Sequence, residues 1–247
     1  MRFAFPMIGK PDIVTGNTPW QASAPVLRFD PHGTPVDPIA AAIYEAVGNR
    51  FALTAVGQAT NRIPLVLAEA KPLFEATSPP YGMGAAMNGG ELQHRQLYDV
   101  SVRGDDDRWH VIGPHAVYGR QSWTDFGIAH ITDMHVARRI DAFREILRNA
   151  DRADAAARMY NFNDRFRGFV RYANYLYDAG VLDLIVTTGD NYDYQFEHED
   201  DRNGGGNAAF LRDLILGKAP GPDFPDVEEL RVPIFMVPGN HDYRINP

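Results

Sequence analysis

No cysteine occurs in the 247 residues, which excludes disulfide bridges, thiolate metal sites and a cysteine nucleophile. Its absence does not fix a compartment, since exported bacterial proteins also do without it. Positive charge is in deficit: 24 Lys and Arg stand against 32 Asp and Glu, for a formal charge of −8 and a pI near 5.4. Wholesale nucleic-acid binding needs a basic footprint to displace counterions, so it is not expected. An acidic chain still binds phosphate when cations lie between. Long apolar runs are missing too, and nothing approaches the ~20 residues of a membrane span. The short apolar patch in Met1–Lys10 is broken by Pro6 and has neither an h-region nor a small-residue cleavage site. The expectation is a soluble protein with no membrane segment and the cytoplasm as default compartment; oligomeric state leaves no mark in the sequence.

What is present suits a globular chain. A hydrophobic content of 45% supports a real core, and the length allows one large or two modest domains. Prolines at 11, 19, 25, 31, 35 and 38 predict turn-broken, extended chain, with a short helix over Asp37–Ala46 that has Pro38 in its first turn. Phe51–Val56 and Ile63–Ala68 read as strands, and the Pro/Gly-punctuated stretch Ser78–Gly90 as a loop or linker. Tyr98, Val100 and Val102 alternate with polar residues, Gly104–Asp107 turns the chain, and Trp109 and Val111 alternate back, which predicts a hairpin. Residues 1–122 are expected to form a β-rich accessory segment and 123–247 a second domain.

From Trp123 the grammar becomes strand, helix, strand. Phe126–Ile131 is a short apolar run. A helix over Ala137–Leu147 is expected to place Ile140, Phe143, Ile146 and Leu147 on one face. Asp164 opens a second helix, with Phe166, Phe169, Val170, Ala173, Leu176 and Tyr177 on its core face and Gly180 as its stop. Strand Val181–Thr188 follows; then Asn207 caps a third helix ending at Gly217, and strand Val232–Val237 comes last. The order is βαβαβ, which makes an α/β fold.

Each of the three strands ends in polar groups of metal-ligating type. Asp133-Met-His135 follows the first, Gly189-Asp190-Asn-Tyr-Asp193 the second, and Gly239-Asn-His-Asp242 the third. Carboxyl ends of strands in a mostly parallel sheet share one rim, where ligands usually bind. Asp133 and His135 leave the strand end on the same side, and Gly189 and Gly239 allow sharp turns where groups must crowd.

In order and context these motifs resemble the calcineurin-like metallophosphoesterases, over roughly residues 126–242. The resemblance implies a sandwich of two mixed sheets flanked by helices, of which about the first half is present. It implies hydrolysis of a small-molecule phosphomonoester or phosphodiester by a hydroxide activated between two divalent ions; Mn, Fe and Zn all suit such ligands. By the same resemblance Asp133 and His135 hold one metal, Asp190 bridges, Asn240 holds the other, His241 assists the leaving-group oxygen, and Asp242 orients His241.

The departures matter as well. The family completes its site with later histidines, including a Gly-His-x-His motif, and no histidine follows His241 here. The expectation is therefore a truncated chain or fragment with at most one tightly held ion and little turnover. The alternative is a non-catalytic interaction module with an incomplete metal site. His110 and His115 are poor substitutes for the missing motif. No Arg-Gly pair follows Asp190, unlike the serine/threonine protein phosphatases, and Asp190 lies 57 positions beyond Asp133, a wide insertion that either shapes a substrate wall or only packs. His130 is read as a core or interface histidine, Asp193 and Tyr192 as turn-stabilising, and Glu197–Asp201 as a solvated acidic loop.

Overall fold

The computed structural model describes residues 8–16, 50–65, 90–194 and 206–243 with their side chains, together with the backbone of 2–5, 21–22, 26–28, 66–72, 82–88, 195–196 and 245–246. The helix expected at 37–46 and the acidic run 197–201 lie outside the described residues. The chain divides into two compact units, Met1–Asp125 and Phe126–Pro247.

The first unit is built from β1 (Arg2–Phe5), β2 (Asp12–Thr15), β3 (Gln21–Ala22), β4 (Val26–Arg28), β5 (Phe51–Ala55), β6 (Arg62–Pro72), β7 (Gly82–Asn88), β8 (Gln96–Arg103) and β9 (Trp109–Arg120). These form one mixed sheet in the order β1-β4-β7-β6-β5-β8-β9-β2, with β3 beside β7. β2 runs parallel to β9, while β5 and β8 pair antiparallel with both of their neighbours. All five residues of β5 are buried, so both faces of this part of the sheet are covered. Phe51, Leu53, Leu65, Tyr98, Val100 and Val117 form the centre of its core. The one polar side chain of β5 is satisfied there: the Thr54 hydroxyl donates to Ser101 Oγ at 3.0 Å.

The β8–β9 hairpin forms where alternation and turn residues place it, with Arg103 opposite Trp109 and Asp107 in the left-handed region at φ 62°. The Gly-rich stretch behaves otherwise. Expected as a loop, it contains β7 at Gly82–Asn88, paired with β4 and β6. Two flanking strands satisfy its backbone, and a ladder needs no side chains, so pairing overrides a weak local preference.

The second unit contains β10 (Ile128–Ile131), α1 (Arg138–Asn149), α2 (Ala153–Arg158), α3 (Phe162–Asp178), β11 (Leu184–Thr188), β12 (Gln195–Phe196), α4 (Asn207–Ile215), β13 (Ile234–Val237) and β14 (Ile245–Asn246). It is a mixed α/β arrangement, in keeping with the expected fold class. β10, β11 and β13 make a three-stranded parallel sheet in that order. The register pairs Ile131 with Thr187 and Thr188 with Val237, so all three strands finish level. β12 pairs in parallel with β14.

Local chemistry moves several boundaries. α3 begins at Phe162 rather than Asp164, because Asn161 caps it by accepting the Asp164 N–H at 3.2 Å. At its other end Gly180 takes φ 78°, and the N–H groups of Val181 and Leu182 both turn back to the Leu176 carbonyl. Val181–Asp183 thus closes the helix instead of starting the strand. Asn207 does not cap α4, whose cap is Gly206; its side chain accepts the Arg138 N–H and donates to the Asp193 and Tyr194 carbonyls. α1 does not bury the apolar face assigned to it, as Phe143 and Ile146 are more than half exposed. It engages instead through a polar edge: Asp141 binds Arg167, and Arg144 binds Asp164 and Asp223.

Arg167 is the centre of that edge. Its side chain is 1% exposed, yet it donates to Asp141 at 2.6 Å, to Asp164 at 2.8 Å and to the Ala219 carbonyl at 2.9 Å. Burial alone would pull its pKa down; the two carboxylates outweigh this and raise it, so the guanidinium stays charged. Removing one partner of a buried pair leaves the other charge uncompensated. Arg167→Ala is expected to destabilise the protein by about 3–5 kcal/mol in urea unfolding. Gly168→Ala, one residue on, meets no atom within 4 Å of the added methyl and is expected to stabilise it by about 0.5–1 kcal/mol.

Candidate metal centre

Past the strand ends the parallel register continues and carries the polar groups with it. The N–H of Asp133 donates to the Gly189 carbonyl at 3.3 Å, that of His135 to Asp190 at 2.9 Å, and that of Val136 to Asn191 at 3.2 Å. Gly189 N–H in turn donates to the Val237 carbonyl at 3.0 Å, which brings the third loop alongside. Backbone bonds therefore fix the three motifs against each other before any side chain acts.

Asp133, His135 and Asp190 each offer a ligand atom, all within 4.8 Å of one another. A second group, His135, Asp193 and His241, meets the same criterion and shares His135 with the first. His135 Nε2 lies 3.9 Å from Asp190 Oδ2, and its Nδ1 lies 3.9 Å from Asp193 Oδ1. These separations are too long for hydrogen bonds and suit donors that each reach an ion at about 2.0–2.2 Å. All three members of the first group sit at positive φ, 52° for Asp133, 45° for His135 and 42° for Asp190. Left-handed backbone is uncommon outside glycine and is held only where its surroundings over-determine it.

The third loop closes on Asp190. His241 N–H donates to Asp190 Oδ1 at 2.9 Å, and Asn240 is exposed in the loop just before it. The Gly239 Cα faces Asp190 so closely that an added Cβ would strike its backbone nitrogen and Oδ1 and stand 2.7 Å from Gly189 Cα. The His241 ring meets the His135 ring edge-on at 4.8 Å and lies over Tyr194 at 4.4 Å. Its Nδ1 is 3.1 Å from Asp193 Oδ1.

This revises the expected pairing of His241 with Asp242. The carboxylate beside the ring nitrogen belongs to Asp193, which also takes a bond from Arg139 and so does more than steady a turn. Asp242 is buried and faces the loops behind the site. It accepts from the N–H groups of Gly239 at 2.7 Å, Asn191 at 3.2 Å and Tyr192 at 3.0 Å, and from Asn191 Nδ2 at 2.9 Å. His130 is neither core nor part of either acid–imidazole group: it is exposed, with Nε2 2.6 Å from Thr188 Oγ1. Sequence reasoning underweighted Asp193, although the spacing of the second motif had placed it at the site, and nothing local signalled Tyr194.

Residues 126–247 match the model of a family described as calcineurin-like phosphoesterase. They belong to that family. Comparison with curated proteins and with solved structures returns no match. The phosphoesterase family is one of metal-dependent hydrolases that bind divalent ions and act on small phosphoester substrates, and the hard oxygen and imidazole donors gathered here fit such ions. Among the described residues no helix is long and apolar enough to cross a membrane.

Gly239→Ala tests the closeness of this packing. Because the obstructing atoms are the Asp190 backbone nitrogen and Oδ1 and the Gly189 Cα, Asp190 must shift, and manganese affinity measured calorimetrically is expected to fall at least about tenfold, roughly 1.4 kcal/mol, with far-UV circular dichroism unchanged.

Proposed function

We propose that residues 126–247 carry the site of a metal-dependent phosphoesterase in which Asp133, His135, Asp190 and Asn240 hold divalent ions and His241 serves the leaving group. One observation carries the reading: Asp133, His135 and Asp190 converge from two adjacent strand ends in backbone conformations that only a fixed framework maintains. Two ions, of manganese, iron or zinc, are the expected complement of the complete enzyme. Bound there, they would neutralise phosphate charge and lower the pKa of a water to supply the nucleophile.

The remaining chemistry belongs to the chain. Asp193 at Nδ1 of His241 favours a proton on that nitrogen, which leaves Nε2 to exchange one with the departing oxygen. Tyr194 and His135 hold the ring from two sides. Asp242 supports this indirectly by fixing the loop that presents His241. The substrate is a small phosphomonoester or phosphodiester. In this reading residues 1–122 remain an accessory segment ahead of the catalytic one, 123–247.

The test is hydrolysis of p-nitrophenyl phosphate and its bis ester, alongside metal content by mass spectrometry. Hydrolysis is expected to vanish with chelator, return with manganese, and fall by about 10²–10³ in Asp190→Asn. Turnover indifferent to both treatments would overturn the proposal. Manganese binding without turnover of either ester would favour the non-catalytic module.

A further inference from the structure

A cleft of about 310 Å³ opens directly beside Asp133, between the end of β10 and the start of α3. Its far wall is aromatic. Tyr160, Phe162, Phe166 and Phe169 line it, with Arg165 the one cation among them and Asp133 the one carboxylate. Tyr160 and Phe162 meet edge-on at 5.5 Å, Phe166 and Phe169 lie 6.0 Å apart, and the Arg165 guanidinium sits 4.9 Å over the Tyr160 ring. Tyr160 and Phe162 are 59% and 43% exposed, so two large rings face solvent at the mouth of the cleft. All five wall residues come from the wide insertion between Asp133 and Asp190.

We infer that this cleft binds a flat aromatic group carried by the phosphoester, an aryl ring or a nucleobase, while its phosphate lies at Asp133. The inference rests on the metal-centre reading above. Because Asp133 belongs to both the ligand group and the cleft wall, a molecule whose phosphorus sits at the centre has its ester substituent beside these rings. A planar substituent stacks on the exposed rings and buries apolar area, gaining a ring–ring contact that an aliphatic one does not offer. Arg165 adds a cation that stacks on an aromatic face or pairs with an anionic substrate.

Binding of phosphonates, which are not hydrolysed, tests this on the full chain with manganese by isothermal titration. Phenylphosphonate is expected to bind at least about tenfold tighter than methylphosphonate, equivalent to about 1.4 kcal/mol. The double variant Tyr160→Ala/Phe162→Ala is expected to lose most of that preference, and Tyr175→Ala, an exposed tyrosine elsewhere on α3, to keep it. A nucleoside 5′-phosphonate that binds tighter than phenylphosphonate identifies a nucleobase as the occupant; equal or weaker binding identifies an aryl group. Manganese-dependent binding of both simple phosphonates without a phenyl preference overturns the cleft assignment and leaves the metal centre standing. A phenyl preference indifferent to manganese and to Asp190→Asn supports the cleft and sinks the metal reading. No binding of either phosphonate overturns both.

Discussion

The second unit depends on a buried carboxylate behind the site. Asp242 gathers four N–H groups, from Gly239 in its own loop and from Asn191 and Tyr192 in the loop after β11. Three of these donors are backbone N–H groups, which no side-chain substitution removes short of proline. The Tyr192 hydroxyl returns the bond, donating to the Asp242 carbonyl at 2.7 Å. Two loops that would otherwise move separately are thereby one object. That object holds Asp190 between Gly239 and His241.

Everything forward of this clasp follows from strand register. Level strand ends put the three motifs on one rim, and the continued backbone ladder from Asp133 to Val136 sets their order across it. Asp193 then links the two histidines, standing 3.9 Å from one ring and 3.1 Å from the other. The first unit solves a different problem: a curled sheet of largely antiparallel strands, covered on both faces at β5, with the Thr54 hydroxyl bonded to Ser101 inside.

How far the sequence predicts this depends on whether a feature is local. The strand–polar-tip pattern is local, and it foretold which residues meet: Asp133, His135 and Asp190 stand within one small volume, with His241 adjoining. The hairpin at Gly104–Asp107 was legible for the same reason. Long-range partners were not. Asn207 looks like a cap, but it ties α4 to Arg138 and to the Asp193–Tyr194 backbone, a choice made by tertiary contacts. The apolar stripe of α1 suggested a core face, whereas the helix is anchored through Asp141, which pairs with the buried Arg167 26 residues on, and through Arg144, which pairs with Asp164 and Asp223. The carboxylate beside His241 Nδ1 is that of Asp193, 48 positions away in sequence, and position in sequence does not say which carboxylate turns toward a ring.

The backbone at the centre also restricts its own evolution. Three positions held in left-handed geometry bar β-branched residues whatever the chemistry, and after glycine they admit Asn, Asp and His most readily. That short alphabet nearly coincides with the side chains able to hold a hard cation. Most replacements at 133, 135 and 190 that drop the donor would also strain the chain, so drift tends to circulate among residues that remain competent to bind.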